Sequence, residues 1–218
     1  IASYPIDLDE PFSIKIALDS PHKFVPFLLE GNNPPLYFIL LYYWIKLFGF
    51  SVIAVRFLSV LFSLAALKVL FDFVKLISTE TVAIVSVIFF VSSTFIHWYS
   101  IEARMYSLLI FLTILSLSHL YRLLIMDKGS WVVFGVANAV LLYTHYLGLF
   151  ILGLELMLII FFYKDLTKKK GLKLGLASLL TLIIYSPVIM YIFQRLTDFT
   201  NQGTWVAAPK WTELYGNI

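Results

Sequence analysis

Long apolar segments recur along the chain and are separated by short polar breaks. An α-helix needs about 20 apolar residues to cross the roughly 30 Å hydrocarbon core of a bilayer. The pattern therefore predicts six membrane spans, and the fourth and fifth are short and meet at a polar turn around residue 145. The predicted spans are 52–72, 81–98, 103–125, 131–146, 147–163 and 172–193. We expect an all-α, polytopic transmembrane helical bundle.

Residues 35–48 are apolar but too short to span comfortably, and they are rich in Tyr and Trp. This composition is typical of a helix that lies at the membrane interface. We expect residues 1–34 to form an outer loop that leads into this interfacial helix, and residues 194–218 to form a second outer loop. The chain opens with Ile1 and its first thirty residues contain no signal segment or span, so we expect a piece of a longer protein.

Composition narrows the class of protein. Hydrophobic residues make up 61% of the 218 residues and charged residues only 13%, which indicates an integral membrane protein surrounded by membrane lipids. The net charge of +3 and the absence of a basic run interleaved with aromatics argue against nucleic acid as a partner. Because the chain has no Cys, thiolate nucleophiles and Cys-based metal sites are excluded.

The basic residues predict which end of the bundle faces the cytoplasm. The run Lys168-Lys169-Lys170 lies in a short loop, where positive charge has most weight in setting orientation. Residues 1–34 lie at the opposite end and include the acidic Asp7, Asp9 and Glu10. We therefore expect these carboxylates outside the cytoplasm.

Two arginines near the outer starts of predicted spans are candidates for binding an anion. Arg104 follows Ser100, a plausible N-cap, and shares the first helical turn with Glu102. Free backbone N–H groups, the helix dipole and a guanidinium can converge on a phosphate, and Arg56 is placed similarly in its own span. The alternative is a purely structural arrangement of Glu102 and Arg104 at the interface.

His145 is the candidate metal ligand, in a polar hinge between two short spans. A capping or hydrogen-bonding role is the alternative. Carboxylates with one imidazole would suit Mg²⁺ or Mn²⁺ better than structural zinc, and we expect no organic cofactor. Glu155 and Asn138 fall in the middle of spans, where polar groups are costly; for Glu155 we favour a neutral carboxyl hydrogen-bonded to a neighbouring helix.

Several stretches, taken in order, resemble the membrane glycosyltransferases of the GT-C fold. The likeness is greatest to the dolichyl-phosphate-mannose protein mannosyltransferase-like group, which includes the aminoarabinose transferases of lipid A. It covers nearly all of the chain. The stretches are Asp-Glu-Pro-Phe-Ser at 9–13, Asn-Pro-Pro-Leu-Tyr at 33–37, Leu-Phe-Gly at 47–49, Ala-Val-Arg-Phe at 54–57, Trp-Tyr-Ser-Ile-Glu-Ala-Arg-Met-Tyr-Ser at 98–107, Tyr-Thr-His-Tyr at 143–146 and Trp-Val-Ala-Ala-Pro at 205–209.

The resemblance implies an enzyme that moves a sugar, with inversion, from a polyprenyl-phosphate donor to a hydroxyl acceptor on a protein, lipid or polysaccharide. It implies Asp9 as catalytic base and Glu10 as its catalytic neighbour or a metal contact, with Asp9 and His145 as metal candidates. The residues implied in binding the donor and its phosphate are Asn33, Arg56, Glu102, Arg104 and Tyr106.

The chain departs from that family at two positions. Asn32-Asn33 stands where a His or a Glu-Lys pair is common, and Ile101 stands where Gln is common. Two rival functions are a transporter or lipid flippase, which would distribute polar groups through the spans in two repeated halves, and a non-catalytic relative that only binds the lipid carrier.

Overall fold

A computed structural model describes residues 10–18 and 34–202, with side chains described as far as residue 189 apart from that of residue 165. Within these ranges the backbone forms α-helices and no strand, so the prediction of an all-α fold is confirmed. A π-helical turn (Arg122–Met126) and a short 3₁₀ turn (Tyr163–Asp165) follow two of the helices. The helices are α1 (Glu10–Leu18), α2 (Leu36–Phe48), α3 (Val52–Ile77), α4 (Glu80–Ser92), α5 (Thr94–Ile101), α6 (Tyr106–Tyr121), α7 (Trp131–Thr144), α8 (Gly148–Phe161) and α9 (Lys168–Gln202).

Three of the described helices are long and apolar enough to cross a membrane. They are α3, α6 with its π-helical turn, and α9 as far as Ile189. The 26 residues of α3 extend about 39 Å at 1.5 Å per residue. α7 and α8 are shorter, with 14 residues each, as the sequence predicts.

The predicted span 81–98 is broken. α4 ends at Ser92 and α5 begins at Thr94, with a bend of 69° between the two helices. Ser93 adopts an extended conformation at the break, and its amide donates to the Phe90 carbonyl at 3.3 Å. Together the two helices are long and apolar enough to cross a membrane as one broken span, or to form a re-entrant loop, so the predicted span over 81–98 stays a prediction.

Local sequence determines several helix starts. Ser51 accepts a hydrogen bond from the Ala54 amide at 3.1 Å, and Thr79 accepts one from the Val82 amide at 3.3 Å. Ser130 does the same at the start of α7. These N-caps satisfy backbone donors that have no partner within the helix.

The helices alternate in direction, so the molecule has two ends. At one end lie the starts of α3, α6 and α8, together with α1 and α2. α2 is partly inserted into the protein, since Tyr37, Phe38 and Leu41 are buried while Leu47 and Phe48 are exposed. The main apolar core lies here and joins α1 and α2 to α3 and α6.

The opposite end carries the Lys168-Lys169-Lys170 run and Lys173, and it is tied together by one carboxylate. Asp127 contacts Lys173 at 2.7 Å and Lys169 at 3.2 Å, and these hydrogen bonds, that of Lys173 first, hold the pKa of Asp127 below its usual range. Nearby, α7 and α9 approach closely, because a Cβ on Gly135 would lie 2.7 Å from the Ala177 carbonyl oxygen. We call this the lysine-rich end.

Candidate functional site

A buried ion pair joins α1 to the start of α3. Arg56 Nε donates to Glu10 Oε1 at 2.9 Å, and Arg56 Nη2 donates to Glu10 Oε2 at 2.6 Å. Both side chains are almost fully buried, with exposures of 4% for Arg56 and 2% for Glu10. This bidentate geometry is the strongest form of arginine–carboxylate contact.

A backbone amide completes the arrangement. Ala103 N donates to Glu10 Oε1 at 2.8 Å, so one carboxylate connects segments that are 46 and 93 residues away in the sequence. We call Glu10, Arg56 and the Ala103 amide the Glu10 clasp. It fixes the first residue of α1, which immediately follows Asp9, against two other parts of the bundle.

The clasp bears on two predicted roles. Arg56 directs two of its donors at Glu10, which favours a role in holding α1 over direct contact with a lipid phosphate. Both oxygens of Glu10 accept hydrogen bonds, which favours a positioning role over proton abstraction. Asp9 and Asn33 lie outside the described residues, so their predicted roles stay predictions.

Arg104 lies in the connection between α5 and α6. α5 continues to Ile101, and α6 begins only at Tyr106. Ser100 is therefore inside α5, where its hydroxyl donates to the His97 carbonyl at 2.7 Å, and the prediction that Ser100 caps a helix carrying Arg104 is wrong. The backbone turns just before Arg104. Glu102 is extended, and the Arg104 amide donates to the Glu102 carbonyl at 2.8 Å.

This connection is packed firmly against α2 and α3. Ser59 donates to the Arg104 carbonyl at 3.3 Å, and the hydroxyls of Tyr37 and Ser59 are 2.8 Å apart. The side chains of Glu102 and Arg104 are themselves buried, with residue exposures of 6% and 7%. A buried guanidinium is held in a fixed place, which is what recognition of an anion requires.

An aromatic residue, Tyr106, lies between Arg104 and His145, the histidine that the sequence analysis proposes as a metal ligand. The Arg104 guanidinium lies 5.4 Å from the centre of the Tyr106 ring, and its Nη2 lies 3.4 Å from the Tyr106 hydroxyl. The Tyr106 ring lies 5.9 Å from the ring of His145, measured between centroids. We call these three residues the Arg104 stack. The structure thus brings together predicted residues from both ends of the 104–145 segment.

The tautomer of His145 follows from its hydrogen bond. Its Nδ1 accepts from the Leu147 amide at 3.0 Å, so the proton of the neutral ring is on Nε2. Burial, and secondly the nearby Arg104 charge, lower the pKa of His145 below its usual value. The ring is therefore neutral at pH 7 and offers an N–H donor.

This tautomer does not fit the predicted metal role. A histidine that binds a metal through Nε2 normally donates its Nδ1 hydrogen to an acceptor, whereas here Nδ1 is itself the acceptor. Within residues 10–18 and 34–202 there is also no group of three or more His, Asp or Glu side chains that could hold a metal ion. We therefore assign no step to a metal.

Sequence reasoning missed the links that hold the site together. Tyr37 and Ser59 carry the Arg104 connection, and the Ala103 amide carries Glu10, yet none of them stands out as chemistry. The only sequence signal was the place of Tyr37 within the Asn-Pro-Pro-Leu-Tyr stretch. A backbone amide has no sequence signal at all.

Comparison with known proteins identifies the family. The family model for dolichyl-phosphate-mannose-protein mannosyltransferases matches residues 32–191, most of the chain. No significant match was found among curated proteins or solved structures. The chain belongs to the dolichyl-phosphate-mannose-protein mannosyltransferase family and is a membrane glycosyltransferase of the GT-C type.

Proposed function

We propose, from this family membership and the geometry above, that the protein transfers a sugar from a polyprenyl-phosphate donor to a hydroxyl acceptor. Transfer inverts the anomeric centre and takes place at the extracytoplasmic face of the membrane. The observation that carries the proposal is the pair of buried charged groups at one end of the bundle, the Glu10 clasp and the Arg104 stack. The lysine-rich end lies opposite, which supports an extracytoplasmic site under the positive-inside rule.

Asp9 is the proposed base. A sugar or Ser/Thr hydroxyl is a poor nucleophile, and a positioned carboxylate that accepts its proton contributes about 10²–10⁴-fold. The clasp supports this role because it anchors the residue directly after Asp9 with three hydrogen bonds. In this proposal Glu10 and Arg56 are positioning residues.

The Arg104 stack is the proposed contact to the departing phosphate. As the bond to the anomeric carbon breaks, the bonding electrons stay on the phosphate oxygen and its negative charge grows. A fixed guanidinium and the Nε2–H of neutral His145 can both stabilise that charge. Tyr106 holds the guanidinium and the imidazole in one stack, and Glu102 shapes the connection that carries Arg104.

The transporter alternative gains no support from the interior polar groups. Glu155 and Asn138, the mid-span residues that raise this possibility, are hydrogen-bonded to each other at 2.7 Å. Both residues line a cleft of about 280 Å³, but they are almost fully buried and hydrogen-bond each other, whereas a substrate pathway would direct such groups at the substrate. A non-catalytic protein that only binds the lipid carrier is distinguished from an enzyme by measuring product release.

The test is release of polyprenyl phosphate from a panel of polyprenyl-phosphate sugars, in membranes that contain the complete parent protein. We expect release from one donor, and a fall of about 10²–10⁴-fold in Asp9→Asn. Asp72→Asn is the matched control, because Asp72 is exposed and pairs with Lys68 far from the site; its rate should equal that of the wild type.

The other outcomes contradict the proposal in different ways. Equal release by wild type and Asp9→Asn would remove Asp9 as the base. Lipid binding without release from any donor would favour the non-catalytic relative. Movement of an intact donor across the membrane without release would favour a flippase.

A further inference from the structure

Three buried polar side chains meet inside the bundle, away from the site. Ser116 is on α6, Asn138 on α7 and Glu155 on α8, with residue exposures of 0%, 5% and 2%. Ser116 Oγ lies 2.6 Å from Asn138 Oδ1 and 2.5 Å from Glu155 Oε1. Asn138 Nδ2 lies 2.7 Å from Glu155 Oε2. We call this closed set of three contacts the Glu155 ring.

Counting hydrogens shows which state of Glu155 the ring requires. Each of the three contacts needs one hydrogen between its heavy atoms. The Ser116 hydroxyl supplies one, and the Asn138 amide supplies one because its nitrogen faces only one of its two partners. Turning the amide over exchanges its nitrogen and oxygen but leaves this count unchanged.

The third hydrogen has to come from Glu155. With a protonated carboxyl, Glu155 donates to Ser116, Ser116 donates to Asn138 Oδ1, and Asn138 Nδ2 donates to Glu155 Oε2. An ionised carboxylate has no hydrogen, so one contact would bring two acceptor oxygens together within the apolar interior.

The surroundings give the same answer. In the part of the chain that the structure describes, Glu155 has no ion pair, unlike the equally buried Glu10. An unpaired charge in the middle of a membrane helix is costly. Asn138 and Glu155 also line a cleft of about 280 Å³, whose other lining residues are mostly apolar.

We propose that Glu155 is a protonated carboxylic acid. Its hydrogen-bonded ring fixes the α7–α8 turn in place against α6 and thereby positions His145. The ring lies about 10 Å along α7 and about 10 Å along α8 from that turn, at 1.5 Å per residue. It joins both helices to α6, which begins with Tyr106. The contact of Tyr106 with His145 at the turn and the ring below it are two levels of attachment that fix α6 against the hairpin.

Infrared difference spectroscopy tests the protonation state without any appeal to enzymatic activity. The wild-type protein is compared with Glu155→Gln at neutral pH in lipid nanodiscs. We expect the wild type to show the carbonyl band of a protonated carboxylic acid, and the variant to lack it. The matched control is Glu80→Gln, which removes an exposed carboxylate paired with Lys75; it should lose carboxylate bands and leave the acid band in place. Loss of carboxylate bands in Glu155→Gln would overturn the proposal.

Amide hydrogen exchange tests the positioning role. Gln keeps the count of three hydrogens, because its Nε2 can donate to Ser116 and its oxygen can accept from Asn138. We expect the Leu147 amide, which donates to His145, to exchange at the wild-type rate in Glu155→Gln. In Glu155→Leu two ring contacts are lost, and exchange should rise about tenfold. Equal exchange in the wild type and Glu155→Leu would overturn the positioning role.

A variant that keeps the carboxyl group distinguishes a neutral Glu155 from an ionised one. Glu155→Asp keeps the acid group but shortens its reach, and Glu155→Gln keeps the reach but removes the titratable group. We expect protection of the Leu147 amide to survive in Gln and fall in Asp, and the reverse order would refute a neutral Glu155. Only the link from His145 to catalysis rests on the proposed function. Release of polyprenyl phosphate by a wild type that lacks the acid band would overturn the neutral Glu155 and leave the proposed function standing. An acid band without release would overturn the proposed function and leave the neutral Glu155 standing.

Discussion

Glu10 and Glu155 are equally buried, with an exposure of 2% each, but they have different kinds of partner. Within the part of the chain that the structure describes, Glu10 accepts from three nitrogen donors, two on Arg56 and one on the Ala103 backbone. The partners of Glu155 are an amide nitrogen and a serine hydroxyl that also contacts an acceptor. Glu10 is therefore held as a carboxylate, whereas Glu155 needs its own proton.

The comparison shows that burial alone does not decide the state of a membrane-protein carboxyl. The number of donors around it decides, since each oxygen contact has to contain one hydrogen. The two glutamates also have different structural roles. Glu10 anchors a short helix beside the proposed base, and Glu155 joins three helices deeper in the bundle.

The largest expected effect is the loss of stability when the charge of Arg56 is removed, and it distinguishes the Glu10 clasp from the Glu155 ring. Arg56→Ala leaves the Glu10 carboxylate buried without its cation, and breaking such a pair costs about 3–5 kcal/mol. We expect this loss in the free energy of unfolding in detergent, together with faster proteolysis of α1. Lys75→Ala is the control, because its pair with Glu80 is exposed and should cost no more than about 1 kcal/mol.

A double variant makes this test specific. Replacing Glu10 and Arg56 together by Met removes both charges and keeps apolar volume, which is often neutral for a buried pair. Its stability should exceed that of Arg56→Ala. If Arg56→Ala and Lys75→Ala cost the same, the clasp is not a buried ion pair and the contrast with Glu155 fails.

A smaller effect is expected at the neutral site. Glu155→Leu removes two hydrogen bonds but leaves no charge uncompensated, and hydrogen bonds between membrane helices average about 0.6 kcal/mol each. The loss in unfolding free energy should be about 1 kcal/mol, with Glu155→Gln close to zero. A cost for Glu155→Gln similar to that of Arg56→Ala would show that Glu155 is charged after all.

The fold could be predicted from the sequence as far as its signals are local. Apolar runs located the helices, and Ser51, Thr79 and Ser130 are N-caps of the ordinary kind. The bend at Ser93 could not be predicted from the pattern, because the apolar run continues through it on both sides. The helices on both sides of the bend contact α3, and such contacts have no local sequence signal.

For the candidate site too, the sequence predicts some features and not others. The sequence singled out Arg56, Arg104 and His145 by residue type and by position near predicted span ends, and Glu10 by the acidic opening stretch and the family resemblance. It could not show that Arg56 faces Glu10, because an arginine near a helix start suits a phosphate and a carboxylate equally well. That choice depends on α1 meeting α3 across 46 residues of sequence.

The smallest effect concerns His145, whose state, like that of Glu155, depends on its surroundings and not on an ion pair. Its pKa in the folded protein is below the ordinary 6.5 because of burial and Arg104, so between the folded pKa and 6.5 the unfolded chain binds more protons. Stability from this group is complete above about pH 6.5 and is lost as the pH falls through that window. Subtracting the pH dependence of His145→Gln from that of the wild type should leave a slope of this sign. A variant that keeps the whole wild-type slope would show that folding does not shift the pKa of His145.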